Sequence, residues 1–151
     1  MSLLTPAATC EIIGQLLLDL NQVTEPRLQK AWPVYLAAMP DGDRIRDDVL
    51  CVYDTTATLD GRLLEEGTVI EHPGWQVRVR GSKFRIARAK IVAVVKALDE
   101  YRGGNVVVEG VKYNIQNISR RSSILPLGLE ENDRKRRSTF TVNGIITVST
   151  V

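Results

Sequence analysis

The chain has 151 residues, 44% hydrophobic and 25% charged, an ordinary globular composition that argues against wholesale disorder and suffices for one domain with a real core. Aromatic residues are only 5%, so aliphatic side chains must supply most of that core. The formal net charge of +2 hides a division: residues 1–70 hold 5 Lys/Arg against 11 Asp/Glu, and residues 71–151 hold 15 against 7. Such asymmetry points to a surface with an acidic and a basic side, although loops of one domain produce it without any partner.

Cys10 falls in an apolar helical pattern and Cys51 beside a strand-like run. Two buried thiols fit a reducing compartment better than a disulfide framework, which small secreted domains need at higher density. No Lys or Arg precedes Arg27, and Glu11 and Asp19 interrupt the N-terminal apolar residues, so no secretory signal is read. The apolar run Ile91 to Val95 is far too short to span a bilayer. The expectation is a soluble protein made inside the cell, with no membrane partner.

Thr5-Pro6 reads as a helix start, a hydroxyl cap followed by proline at the first helical position. Cys10, Ile13, Leu17 and Leu20, with Ile12 and Leu16 beside them, recur at helical spacing. The next segment, "LQKAWPVYLAAMPDGDRIRDD", is broken by Pro33 and Pro40 and reads as a short irregular connection. "VLCVYD", Val49 to Asp54, is a compact strand, and a long loop is expected at about residues 55–73. In "WQVRVRG", Trp75, Val77 and Val79 alternate with Gln76, Arg78 and Arg80, which predicts a half-buried strand with the arginine face turned away from the core.

Ser82 is placed to cap a helix carrying Phe84, Ala87, Ile91, Val94, Leu98 and Tyr101, stopped by Gly103-Gly104. "NVVVEGVKYNIQNIS" predicts two strands about Gly110, with Val111, Tyr113 and Ile115 on one face. A closing strand alternates Phe140, Val142, Gly144, Ile146 and Val148. The order helix, strand, strand, helix, three strands gives an α+β class: an antiparallel or mixed sheet of about four to five strands with helices packed on one face, all in a single domain over 1–151.

Little in this pattern points to catalysis. His72 is the single histidine, and "HPG" reads as a bend into a strand rather than a catalytic site, since adjacent Glu71 would point to the opposite face. One histidine and two distant cysteines lack zinc-ligand spacing. "DGDRIRDD" lacks the ligand spacing of a calcium loop and reads as solvated charge. A metal-dependent nuclease using Asp41, Asp43 or Asp54 stays open as the enzyme alternative. No phosphate loop and no nucleophile elbow is present, so no cofactor and no enzymatic role are expected. "DRKRR", with Arg134, Lys135, Arg136 and Arg137, and Arg120-Arg121 upstream offer cations for a protein partner or for nucleic-acid phosphates. No aromatic interleaves them for base stacking. Arg78 and Arg80 suit a protein interface, arginine being planar and enriched there.

Taken together, "TPAATCEIIGQLLLDLNQ", "WPVYLAAMP", "VYDTTATLDGRLLEEGTVIEHPGWQVRVRG", "AKIVAVVKALD" and "YNIQNISRRSSILPLGLEENDRKRRSTFTVNGIITV" resemble the tail-terminator proteins of long-tailed bacteriophages, also described as tail-completion or minor capsid proteins. The resemblance covers nearly the whole chain and rests on order and phrasing, most of all in "DGR…EHPGWQVRVR" and the "LG…N-R…F-T-V-N-G" ending. It implies an α/β subunit of the virion, assembled in the host cytoplasm. The subunit forms a homo-oligomeric ring, typically a hexamer, at the head-proximal end of the tail tube. There the ring ends tube polymerisation and joins a head-completion or connector protein, with non-specific contact to DNA passing through it. On this reading Arg78, Arg80, Arg120, Arg121, Arg134, Lys135, Arg136 and Arg137 belong to interfaces. Another head–tail connector or head-closure component, or a small non-specific DNA-binding protein, is the alternative.

Overall fold

The computed structural model describes residues 7–58, 72–129 and 135–150. Helix α1, Thr9–Asp19, begins four residues after the expected Thr5 cap, and Thr5-Pro6 lies outside the described residues. Its first turn is closed by the Glu11 carboxylate, which accepts the Ala8 N–H at 2.6 Å. Its end is closed by Asn21 in the left-handed region (φ 56°), with the Gln22 N–H returning to the Leu17 carbonyl. Cys10, Ile12, Ile13, Leu16 and Leu17 are buried, as the spacing predicts.

A 3-10 turn at Pro26–Leu28 leads into the segment expected to be irregular, which contains a three-residue strand, β1 (Val34–Leu36). β1 runs parallel to β2 (Val49–Thr58), pairing Val34 with Leu50 and Leu36 with Val52. β2 pairs antiparallel with β3 (His72–Gly81), so strand occupies both ends of the expected loop. The remainder of that loop, 59–71, lies outside the described residues. After helix α2 (Phe84–Glu100) come β4 (Gly104–Val108), β5 (Val111–Arg120), β6 (Leu125–Leu129) and β7 (Ser138–Thr150).

The result is one mixed sheet in the order β1-β2-β3-β7-β5-β4, with β6 also paired to β7. It has seven strands where four to five were expected. The two extra strands, β1 and β6, are short and flanked or interrupted by Pro33, Pro126 and Gly128, residues that weigh against a strand when read locally. They form because long neighbours, β2 and β7, offer a ladder. β5 and β6 follow one another along the same edge of β7. At their junction the Asn143 carbonyl accepts the Arg121 N–H at 2.8 Å and the Ser122 hydroxyl accepts the Asn143 N–H at 3.0 Å.

Both helices pack on one face. Trp75, Val77 and Val79 of β3 lie there beside Phe140, Val142, Ile146 and Val148 of β7, against Ile91, Val94 and Leu98 of α2. Each such side chain contributes roughly 1.5–3 kcal/mol by leaving water. Gly144, paired with Trp75, makes room for the indole: a Cβ there would lie 2.2 Å from the ring. α1 packs on β1, β2 and β3 and also on β4, so the sheet curls until its two ends flank that helix. Phe84 departs from the expected core position. It begins α2 beyond the end of β3 and stays exposed, its ring meeting Phe140 edge-on at 5.2 Å.

Candidate interaction surface

The second face of the sheet is not bare. Residues 37–48 cross it and cover Val49 and Cys51, and two arginines fix them in place. Arg80, 4% exposed, donates from Nη1 to the Pro40 carbonyl (2.7 Å), from Nη2 to the Arg46 carbonyl (3.1 Å) and from Nε to the Asp47 carbonyl (3.2 Å). Arg137, also 4% exposed, reaches Asp41 Oδ1 with both terminal nitrogens at 3.2 Å. Asp47 Oδ1 lies 3.7 Å from Arg137 and 3.3 Å from Lys135 Nζ, ion pairs without directed hydrogen-bond geometry. The Arg137 guanidinium holds the Asp41 carboxyl below the usual carboxylate range, helped by the Gly42 N–H.

This arrangement corrects the expected roles of Arg80 and Arg137. Alternation placed Arg80 on the face away from the helices, correctly, but that face is roofed. Arg80 and Arg137 are internal clamps, bonded to the loop that sequence reading took for solvated charge. Arg78 lies further along the same face, half-buried, with its guanidinium 5.1 Å from the Tyr53 ring centre and Nη2 donating to Gln76 at 3.1 Å. Gln76 donates in turn to Asn143 at 2.8 Å. Burial, then the neighbouring Cys51, pushes the Tyr53 phenol up to about 12. His72 opens β3 with Nδ1 2.9 Å from the Thr147 hydroxyl.

The remaining expected cations that lie among the described residues are on the surface. Arg120 is on the helix side and pairs with Asp99 of α2 at 3.2 Å. Arg121 is exposed at the β5–β6 junction, and Lys135 and Arg136 are exposed before β7. Arg134 lies outside the described residues. Sequence reading missed a basic group on α2: Lys83, Arg85 and Arg88 are exposed around Phe84, with no acidic residue in the helix before Asp99. Their clustering in "KFRIAR" was the available signal.

Two of the carboxylates considered for catalysis, Asp41 and Asp54, hold structural contacts. Asp41 is engaged by Arg137, and Asp54 accepts the Cys10 N–H at 2.7 Å, at the start of α1. Among the described residues no three His, Cys, Asp or Glu side chains gather as metal ligands. No described helix is long and apolar enough to cross a membrane. Among the described residues, the half-buried Glu11 and Glu25 and the exposed Asp19 and Glu109 lie around α1 and the outer strands, with exposed Arg27, Lys30 and Lys112 near them in sequence, whereas the start of α2 carries exposed Lys83, Arg85 and Arg88 with no acidic residue between them. No protein-family model matches the sequence, and no curated protein is significantly similar to it.

Proposed function

We propose that the chain is a structural assembly subunit of the tail-terminator kind: it forms a ring at the head-proximal end of a phage tail tube, ends tube growth and offers a surface to the head. The observation that carries this reading is the separation of exposed charge. Acidic and basic surfaces, each with exposed apolar side chains, suit a subunit that meets unlike faces of its neighbours. Complementary potentials of this kind set orientation and partner choice. The resemblance that spans nearly the whole sequence supplies the specific assembly.

The test has two readings on one preparation. Light scattering or native mass spectrometry should show a discrete closed oligomer, hexameric if the resemblance holds. Added to polymerising tail-tube protein, the protein should shorten the tubes and remain at one end. A protein that neither assembles nor limits tube growth is something else. The same basic surface supports one second reading, contact with nucleic acid. It predicts association with any duplex that weakens steeply with salt and leaves tube length unchanged.

A further inference from the structure

Two groups of apolar side chains at surface grooves differ in electrostatic setting. The first lies where α2 begins beside β6. Phe84 is 60% exposed and Leu127, on β6, 49%. Phe84, Pro126, Gly128 and Phe140 border a groove of about 290 Å³. Its surroundings are basic: Lys83, Arg85 and Arg88 are exposed, and the Arg88 guanidinium lies 6.0 Å from the Phe140 ring centre. The second group lies where α1 meets the outer strands β1 and β4. Leu18, Val34, Leu36 and Val108 line a groove of about 260 Å³, and Leu36 is 42% exposed. Glu11, Glu25 and Glu109 line it as well; Glu25 is matched by Arg27, so the net negative charge comes from Glu11 and Glu109, and α1 carries no basic residue.

We infer that these two surfaces dock on each other between successive copies of the chain, the Phe84–Leu127 side of one copy entering the acidic groove between β1 and β4 of the next. The inference rests on the assembly reading and names its contact. The acidic groove is smaller than the roughly 300–1,000 Å³ of a small-molecule site, and its size suits protruding apolar side chains. An exposed aromatic rimmed by arginines is the composition of an interface anchor. Charge then selects the pairing: basic against acidic is attractive, while basic against basic and acidic against acidic repel, which disfavours a symmetric dimer through either surface. Strand addition is not the mode, because Pro126 and the irregular pairing at Gly128 blunt the free edge of β6. The two surfaces share no residue. Each docked pair therefore still presents one of each, and the contact propagates until a ring closes or a filament grows.

The test mixes two copies of the full chain, one carrying Leu127→Cys and one Leu36→Cys, both at exposed positions, and treats them with a short bis-maleimide. The natural thiols, Cys10 and Cys51, are buried. The expected product is the mixed cross-link, well above either self-link. Adding Arg85→Glu and Arg88→Glu to the Leu127→Cys copy should cut it at least tenfold. Adding Glu25→Lys and Glu109→Lys to the other copy should restore it. Circular dichroism of each variant checks that the fold is kept. Self-links equal to the mixed product, no cross-link at high concentration, or charge reversal without effect each overturn the contact. Light scattering on the wild-type chain separates this from the assembly reading. A closed oligomer without the mixed cross-link leaves the ring and removes this contact, whereas a monomer that also fails to limit tube growth removes the ring.

Discussion

Arg80→Met removes the clamp on residues 37–48 while keeping a side chain of similar length on β3. Three donations to the carbonyls of Pro40, Arg46 and Asp47 are lost. Hydrogen bonds from a charged donor are each worth roughly 1.5–3 kcal/mol net, but the released carbonyls lie near the surface and recover part of this from water. Losing one member of a buried ionic network costs roughly 3–5 kcal/mol by comparison. We expect about 4 kcal/mol, which for a chain of this length lowers Tm by roughly 8–16 °C. The control is Arg120→Met, whose partner Asp99 is half-exposed, as Arg120 is. A surface pair of that kind is worth about 0–1 kcal/mol. Urea denaturation followed by tryptophan fluorescence measures both, since Trp75 is in the core. If Arg80→Met costs no more than Arg120→Met, the loop is not held by this arginine and its burial has another cause.

Three further outcomes follow from the same contacts. Because Asp41 has a lower pKa folded than unfolded, its contribution is complete above the ordinary carboxylate range near 4 and is lost as pH falls through the folded value. Wild-type stability should therefore fall more steeply in acid than that of Arg137→Met, as denaturation midpoints across pH would show. Gly144→Ala places a methyl 2.2 Å from the Trp75 ring and 2.6 Å from the Ser119 carbonyl, and should cost about 3 kcal/mol or more, measured by thermal unfolding. Burial, then Asp54, pushes the Cys10 thiol up to about 11, and burial raises that of Cys51. At pH 8 both thiols should resist a chromogenic disulfide reagent and react only in denaturant; immediate reaction of the native protein would contradict this burial.

How much of this was legible in the sequence depends on the range of the forces involved. Trp75, Val77 and Val79 announced themselves because strand alternation is local and the sheet face they occupy is the core. The same alternation put Arg80 on the opposite face but carried no information about what lies over it. The cover comes from residues 37–48, which have no period of their own and are recognised only by partners at distant positions, such as Asp41 by Arg137. Phe84 shows a related limit. Helical spacing assigned it to the buried stripe, yet a helix's first residue is buried only if the sheet extends beneath it, and β3 ends at Gly81. β1 and β6 escaped because their stability resides in the neighbours they pair with rather than in their own residues. The surface basic group on α2 was readable, and was overlooked because its residues interleave with an apolar stripe.

The uneven charge of the two halves has two distinct destinations in the fold. Part of it is consumed internally: Arg137 and Lys135 from the basic half meet Asp41 and Asp47 from the acidic half. These charges close the second face of the sheet, and of them Arg137 alone is buried and so shielded from salt. The remainder stays at the surface, among it the cations Lys83, Arg85, Arg88, Arg121 and Arg136 and the carboxylates of Glu11, Asp19, Glu25 and Glu109. Only this remainder is available to another molecule, and it acts through water, where screening sets in over about 10 Å at 0.1 M salt. A count of charge along the chain therefore overstates the charge left on the surface, because the fold divides the charges bonded inside it from those that face solvent.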